Sequence, residues 1–222
     1  MSKKEFDNSK PLIINMFAGP GAGKSTSSAG LFYKMKLLGY NVELINEYAK
    51  RKTFEKNHIS LSKQYYISAK QIYYQELAER DYDFIITDSP ILLGSVYSNL
   101  NIIESNIINS ETINIERINN HFISEVFRSK NNLNIFIERN EETYSYIGRN
   151  QTLEESKLID DRIINTLDEL GYDFLTVKKD YKKQEKFFDK IIKEFINPFN
   201  ENRKEFHKSK NAKDGKIYYK EF

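Results

Sequence analysis

One stretch limits the folds open to this chain more than any other. Over residues 12–38 an apolar run, L-I-I-N-M-F, meets a glycine-rich turn and then an amphipathic segment. The turn reads A-G-P-G-A-G-K-S-T, from Ala18 to Thr26. The local order is strand, tight loop, helix, and the spacing fits the phosphate-loop pattern of a small residue, four spacers and Gly-Lys-Ser/Thr. Ala18 stands where glycine is usual; Gly19, Pro20, Gly21 and Ala22 are the spacers before Gly23, Lys24 and Ser25. Gly19, Gly21 and Gly23 permit positive φ and close backbone approach, so successive amide N–H groups can face one concavity. The helix behind them adds roughly half a positive charge and unpaired donors at its N-terminus. Lys24 is placed to reach the β- and γ-phosphates of a nucleoside triphosphate, and the Ser25 hydroxyl to ligate Mg²⁺. The expectation is a site for ATP and Mg²⁺, against the plainer alternative of a turn that only joins a strand to a helix.

The chain has 222 residues, enough for one substantial α/β core. Its formal net charge of +2 does not mark a polyanion binder, but the charge is uneven: residues 178–222 hold 14 Lys/Arg against 8 Asp/Glu. The absence of cysteine excludes disulfides and thiolate metal sites. His58, His121 and His207 lack zinc-ligand spacing and are expected at the surface or in loops. No stretch approaches the ~18 apolar residues that span a bilayer, and S-K-K-E-F-D-N-S-K at the start has no apolar signal core. A soluble, cytoplasmic monomer or homodimer is expected.

Periodicity supplies the remaining elements. Residues 1–10 are polar and expected to be flexible. Leu31, Met35 and Leu38 form the inward stripe of a helix over 25–38, closed by Gly39. A strand at 41–46 precedes E-Y-A-K-R, and a long helix is expected over 60–80, where Tyr65, Ala69, Ile72, Tyr73 and Leu77 fit a helical period. A third strand, 83–87, ends in Asp88-Ser89-Pro90; helices are expected at 91–100 and 111–129, with a fourth strand at 133–138. Residues 139–151 are polar and without periodicity, a candidate lid. Thr152 and Glu155 form a capping box that opens a helix to Leu170, followed by a fifth strand at 173–177 and a Lys-rich helix at 181–196. Residues beyond 200 read as an irregular basic tail. The domain reading is therefore a flexible segment at 1–10, one domain at 11–200 and a tail at 201–222. Five short strands alternating with helices predict a parallel α/β sheet with right-handed crossovers.

In such sheets ligands sit at the carboxyl ends of the strands. There Asp88 can hold Mg²⁺ as a Walker-B acid, or act as a turn residue before Pro90; the two roles are compatible. Glu47, after the second strand, can take the proton of an attacking hydroxyl, or favour a helix N-terminus. Lys50 and Arg51 can hold an anionic substrate or be solvated. Gln71 can read a base edge beside Tyr65, Tyr73 and Tyr74, whose rings serve equally well as packing. Arg139 and Arg149 flank the candidate lid, where cationic donors over a transferring phosphoryl group are needed, or where they pair with Glu141 and Glu142. Arg149, next to Gly148, is the preferred clamp, and Arg162 a weaker candidate. No Asn-Lys-x-Asp motif supports a signalling GTPase, and Ser89 rather than Glu follows Asp88. Transfer to a bound hydroxyl fits these strand ends better than hydrolysis.

The combination of A-G-P-G-A-G-K-S-T, E-Y-A-K, A-K-Q at 69–71, T-D-S-P and G-R-N-Q resembles the P-loop nucleoside and nucleotide kinases over about residues 12–177. It looks most like the ribosylnicotinamide-kinase-like branch, including small phage-encoded members. Lys50 stands where that branch tends to carry arginine, and Asp-Ser-Pro where it has Asp-Thr-Asp. The resemblance implies a three-layer P-loop NTPase fold with strand order 2-3-1-4-5, an acid near the acceptor after strand two, and an arginine-bearing lid. Three functions stay open: a kinase for a nucleoside, nucleotide or similar small molecule; a kinase acting on DNA or RNA through the Lys-rich C-terminus; and a nucleotide-dependent switch or inhibitor.

Overall fold

The computed structural model describes residues 5–56, 63–104, 110–140 and 152–214. Its elements run β1 (Leu12–Phe17), α1 (Lys24–Leu37), β2 (Val42–Ile45), α2 (Tyr48–Phe54), α3 (Gln64–Ala78), β3 (Phe84–Thr87), α4 (Leu93–Glu104) and α5 (Ser110–Arg128). They continue with β4 (Asn131–Glu138), α6 (Leu153–Glu169), β5 (Phe174–Lys178) and α7 (Tyr181–Ile191), which passes through a π-helical turn, Ile192–Ile196, into α8 (Asn197–Asp214). All strand pairs are parallel, and the sheet order is the expected β2-β3-β1-β4-β5.

Strand alternation divides the core into two layers. On one face, Leu12, Ile14 and Met16 pack with Leu31 and Met35 of α1 and with Phe188, Ile191, Ile192 and Ile196 of the C-terminal helices. On the other, Phe17 and Phe136 meet Leu92, Ile123, Phe127 and the Ile159, Ile163, Leu167 stripe of α6. The three-layer arrangement of helices, sheet and helices follows directly. The same alternation places Asn15, Asn132 and Asn134 on the second face, all buried. Asn15 Nδ2 donates to Asn132 Oδ1 at 2.9 Å and Asn134 Oδ1 at 3.0 Å, and their own amides donate to backbone carbonyls of Phe127 and Asp173. A buried amide without a partner costs free energy, and the ladder meets most of that demand, leaving Asn15 Oδ1 as the one of its three side-chain oxygens without a hydrogen-bond partner.

Three local readings change. In α3 the buried stripe is Gln64, Ile67, Ser68, Gln71, Ile72, Gln75 and Ala78, while Tyr65, Tyr73 and Leu77 are exposed. The inward face of this helix is largely polar, so apolar periodicity picked out the wrong side. Residues 5–10 are anchored: the Asp7 amide donates to Asn131 Oδ1 at 3.0 Å, and Phe6 packs edge-on against Phe199. The chain beyond 200 is helical through Asp214 instead of irregular. Helix α8 is held by Phe199, buried against Phe84, and by Arg203, whose Nε donates to Asp83 Oδ1 at 2.5 Å and whose Nη1 donates to the Asn8 carbonyl at 2.9 Å. The Arg203 side chain is only 9 % exposed, and its removal takes the 2.5 Å guanidinium partner from a partly buried carboxylate that keeps only the longer contacts of Asn41 and His207. Arg203→Ala should cost about 2 kcal/mol and lower the thermal midpoint by about 4–8 °C; a midpoint unchanged in calorimetry would mean that α8 is not part of the cooperative unit.

Candidate active site

The parallel register brings distant residues to one edge. Ile45 pairs with Thr87 and Thr87 with Asn15, so Glu47, Asp88 and Ala18, one or two residues past the ends of β2, β3 and β1, leave the sheet at the same edge. Farther along, Phe17 pairs with Phe136 and Glu138 with Lys178, which adds Arg139 and Lys179 to the same edge.

The phosphate loop has the conformation its glycines allow. Gly21 and Gly23 take φ of 84° and 99°, which is strained for residues with a β-carbon, and Gly23 is the residue before α1. Gly19 is needed for space: a β-carbon there would lie 2.6 Å from the Ser156 carbonyl and 2.9 Å from Asp160 Oδ1. Lys24 Nζ donates to the carbonyls of Ala18 at 2.6 Å and Gly19 at 3.1 Å. Ser25 Oγ donates to Asp88 Oδ2 at 2.6 Å. Asp88 is 2 % exposed, and its buried Oδ1 has no hydrogen-bond partner. A hydroxyl beside a carboxylate with an orphaned oxygen is the hard oxygen donor set that Mg²⁺ takes through one or two protein ligands and its own waters. Ser25 and Asp88 therefore fit the metal they were expected to hold. Ala22 is buried under the loop, and Thr26 opens to solvent in the first turn of α1.

Arg139 sits behind the loop. Its side chain is 5 % exposed; Nε donates to Asp160 Oδ2 at 2.8 Å, Nη1 to the Pro20 carbonyl at 2.6 Å and Nη2 to the Ser156 carbonyl at 3.3 Å. Asp160 in turn accepts the Gly19 amide at 2.5 Å. Arg149 and residues 141–151 of the candidate lid lie outside the described residues. Arg162 is partly exposed on α6, two residues beyond Asp160.

On the β2 side, Glu47 occupies the residue before α2 with extended backbone and makes no side-chain cap. Gln71 supplies the cap from another helix: it is buried, and its Oε1 accepts the Tyr48 amide at 3.2 Å. Gln71 thus faces inward, away from the exposed Tyr65 and Tyr73 with which its sequence grouped it. The ring near it is that of Tyr48, whose hydroxyl pairs with that of Tyr66 at 3.0 Å and whose ring meets Tyr74 at 6.0 Å. The hydrogen bond to Tyr66, with burial, holds the Tyr48 phenol above its ordinary pKa, so it stays neutral. Cavities of about 440 and 390 Å³ open beside α2; Asn46, Glu47 and Arg51 line both, and Lys50 lines the smaller. The larger follows the outer edge of β2 as far as Asp81 and Tyr82, and neither is lined by the phosphate loop or Asp88. Among the described residues no three His, Cys, Asp or Glu side chains gather as a separate metal site, and no helix is long and apolar enough to cross a membrane.

Sequence reasoning missed Asp160, Ser156 and Lys179. Ser156 and Asp160 belong to the buried stripe of α6 with Ile159, Ile163 and Leu167, and an acid on an otherwise apolar stripe was the available signal. Lys179 follows the last strand at the ligand edge, and its Nζ donates to the Gly21 carbonyl at 3.2 Å. The Arg139–Asp160 pair generates a direct test. Arg139→Ala and Asp160→Ala should each cost about 3 kcal/mol in chemical denaturation, with the double variant falling about 2 kcal/mol short of their sum; strictly additive costs would mean that the two do not act as one support.

Comparison with known proteins agrees with this architecture. A family model described as an AAA domain matches residues 14–184. No curated protein matches the sequence. Among solved structures, deoxyadenosine kinase from M. mycoides with bound dATP superposes with a TM-score of 0.57 at 21 % identity, covering 81 % of this chain and 99 % of that one. The same enzyme with bound dCTP gives 0.57, 21 %, 81 % and 98 %, and the form with dCMP and dCDP gives 0.52, 19 %, 84 % and 99 %. At that identity the likeness establishes the fold, a three-layer P-loop NTPase. With the family model spanning more than half of its length, the chain belongs to the AAA domain family.

Proposed function

We propose that this protein is a phosphotransferase that moves the γ-phosphoryl group of ATP to a hydroxyl of a nucleoside, nucleotide or related small molecule. The observation that carries the reading is the Ser25–Asp88 contact at the mouth of the phosphate loop, with an unpartnered Asp88 oxygen, on the sheet edge that also holds Glu47. Ser25 and Asp88 would hold Mg²⁺, which when bound would neutralise phosphate charge. Residues 18–26 cradle the phosphates with backbone amides and the α1 N-terminus. Lys24 exchanges its loop carbonyls for phosphate oxygens and stabilises the charge that gathers on them.

The acceptor binds on the β2 side, where Glu47 lines both cavities. Its hydroxyl oxygen attacks the γ-phosphorus in line. The new P–O bond forms as the bond to the β–γ bridging oxygen breaks, ADP departs, and the hydroxyl proton passes to Glu47. Lys50 and Arg51 suit an acceptor that carries a phosphate. Gln71, whose oxygen is committed to Tyr48, steadies α2 and hence Glu47, and bears on a base only through its amide nitrogen. Arg139 is read as a support of the donor loop, which leaves the transferring group to Arg149 as the candidate clamp. Deoxynucleosides are the first acceptors to offer, since the kinase that shares the fold was solved with dATP, dCTP and dCMP; ribosylnicotinamide and DNA are the finer alternatives.

The test is incubation with γ-labelled ATP and Mg²⁺ against deoxynucleosides, nucleotides, ribosylnicotinamide and DNA in parallel. Label is expected on a small hydroxyl acceptor. Lys24→Ala should abolish transfer, and Glu47→Gln should lower kcat about 10²–10⁴-fold with ATP affinity retained. Label released only as free phosphate would overturn the kinase reading, label on DNA alone would move the acceptor to nucleic acid, and wild-type kcat in Glu47→Gln would remove its role as base.

A further inference from the structure

We propose that the outer edge of β2 is a docking site for a partner protein, which adds an extended, lysine- or arginine-bearing segment there as a further strand of the sheet. The proposal does not depend on the kinase reading.

β2 pairs with β3 and, among the described residues, with no strand on its other side. The Asn41 carbonyl accepts the Phe84 amide at 3.1 Å. By the period of two, the backbone groups of Glu43 and Ile45 therefore turn to β3, and those of Val42, Leu44 and Asn46 turn outward. An outward row of N–H and C=O groups is a template for another strand. The cover it has is local: the Leu44 amide donates to Oε1 of Glu43, the residue before it, at 3.1 Å. Glu43 also accepts from the Tyr82 hydroxyl, and that bond and the carboxylate's charge hold the phenol above its ordinary pKa, so it stays a neutral donor. A neighbouring side chain folded onto one amide is a cover that an incoming backbone carbonyl can replace.

The space for a strand is present. The larger cavity, about 440 Å³, follows this edge from Asp81 and Tyr82, beside the start of β2, to Glu47 and Arg51 beyond its end. Tyr74, Leu77 and Ala78 of α3 line it as well, and Tyr74 and Leu77 are exposed. Alternate side chains of an added strand would cover that apolar surface. Charge selects the partner. The lining carries Glu43, Glu47 and Asp81 against Arg51, while Lys36, over the Tyr82 ring at 5.6 Å, lies outside it. Among the described residues neither Glu43 nor Asp81 is in an ion pair. When a strand docks, the Leu44 amide passes from the carboxylate to a carbonyl of the partner, and the released Glu43 takes the partner's cation in a charge-assisted bond roughly twice as strong as a neutral one. A second copy of this edge does not fit, because pairing the two would set Glu43 and Asp81 against like charges.

The experiment is fluorescence anisotropy of a labelled hexapeptide that alternates lysine and valine, titrated with the whole protein. Its controls are the glutamate–valine counterpart, the lysine peptide N-methylated at every amide, which keeps the charge but cannot pair, and competition by spermidine, a cation without a backbone. Glu43→Gln removes the acid, and Leu44→Pro removes the outward N–H while leaving the side that pairs with β3; each variant is also melted. The account predicts saturable binding of the lysine peptide with slowed hydrogen exchange at the Leu44 amide. It predicts affinity lower by about tenfold or more for the glutamate and N-methylated peptides and for Leu44→Pro, and by about two- to fivefold for Glu43→Gln. Absent binding, or equal binding of the N-methylated peptide, would overturn the docking site. Equal binding of the glutamate peptide would overturn its preference for a cationic segment, and full displacement by equimolar spermidine would make it a site for small cations instead. Should Leu44→Pro melt well below the wild type, the N-methylated peptide on the wild type decides.

Discussion

The six residues between β1 and α1, three of them glycine, have many shapes open to them, and the ion pair of Arg139 with Asp160 selects one. Desolvating two charges is expensive, and a buried pair is tolerable only when its remaining hydrogen-bonding capacity is used. Here it is used on the loop itself: Asp160 takes the Gly19 amide, and Arg139 gives to the Pro20 carbonyl. With Lys24 on the carbonyls of Ala18 and Gly19 and Lys179 on that of Gly21, four consecutive carbonyls accept from cationic side chains. The loop is shaped from behind by charge and from below by the start of α1.

That constraint ties together parts of the chain far apart in sequence. Arg139 leaves β4, Asp160 and Ser156 sit on α6, and Lys179 leaves β5, so the side chains that hold the phosphate loop come from the second half of the domain. Central placement of β1 between β3 and β4 is what lets both halves reach it. β3 brings Asp88 to Ser25, and β2, one strand farther out, brings Glu47 and the cavities beside α2. Asp88 and Glu47 thus follow the ends of neighbouring strands, with the phosphate loop one strand farther in.

The sequence was most legible where local chemistry and position agree. The phosphate loop, the five strands and the capping box of Thr152 and Glu155 each depend on residues close in the chain, and the structure has all of them. It was least legible where a side chain's role depends on a neighbour far away. Arg139 was legible as a cation after the fourth strand; that Asp160 and the Pro20 carbonyl occupy its guanidinium depends on packing between α6 and the loop. Gln71 read as a partner of exposed tyrosines because the polar face of α3 points inward, contrary to the usual amphipathic rule. The C-terminal helix read as a tail because its anchor is only Phe199 and Arg203 among charged, exposed neighbours.

Central to the whole account is that the carboxylate at the end of β3 and the hydroxyl at the start of α1 form the metal end of a nucleotide site. The most direct measurement is the Mg²⁺ dependence of ATP binding in the wild type and in Asp88→Asn, by calorimetry with and without chelator. The account predicts that Mg²⁺ tightens ATP binding by the wild type, and that Asp88→Asn abolishes this gain while metal-free ATP still binds. An Asp88→Asn protein that keeps the full gain from Mg²⁺ would contradict it.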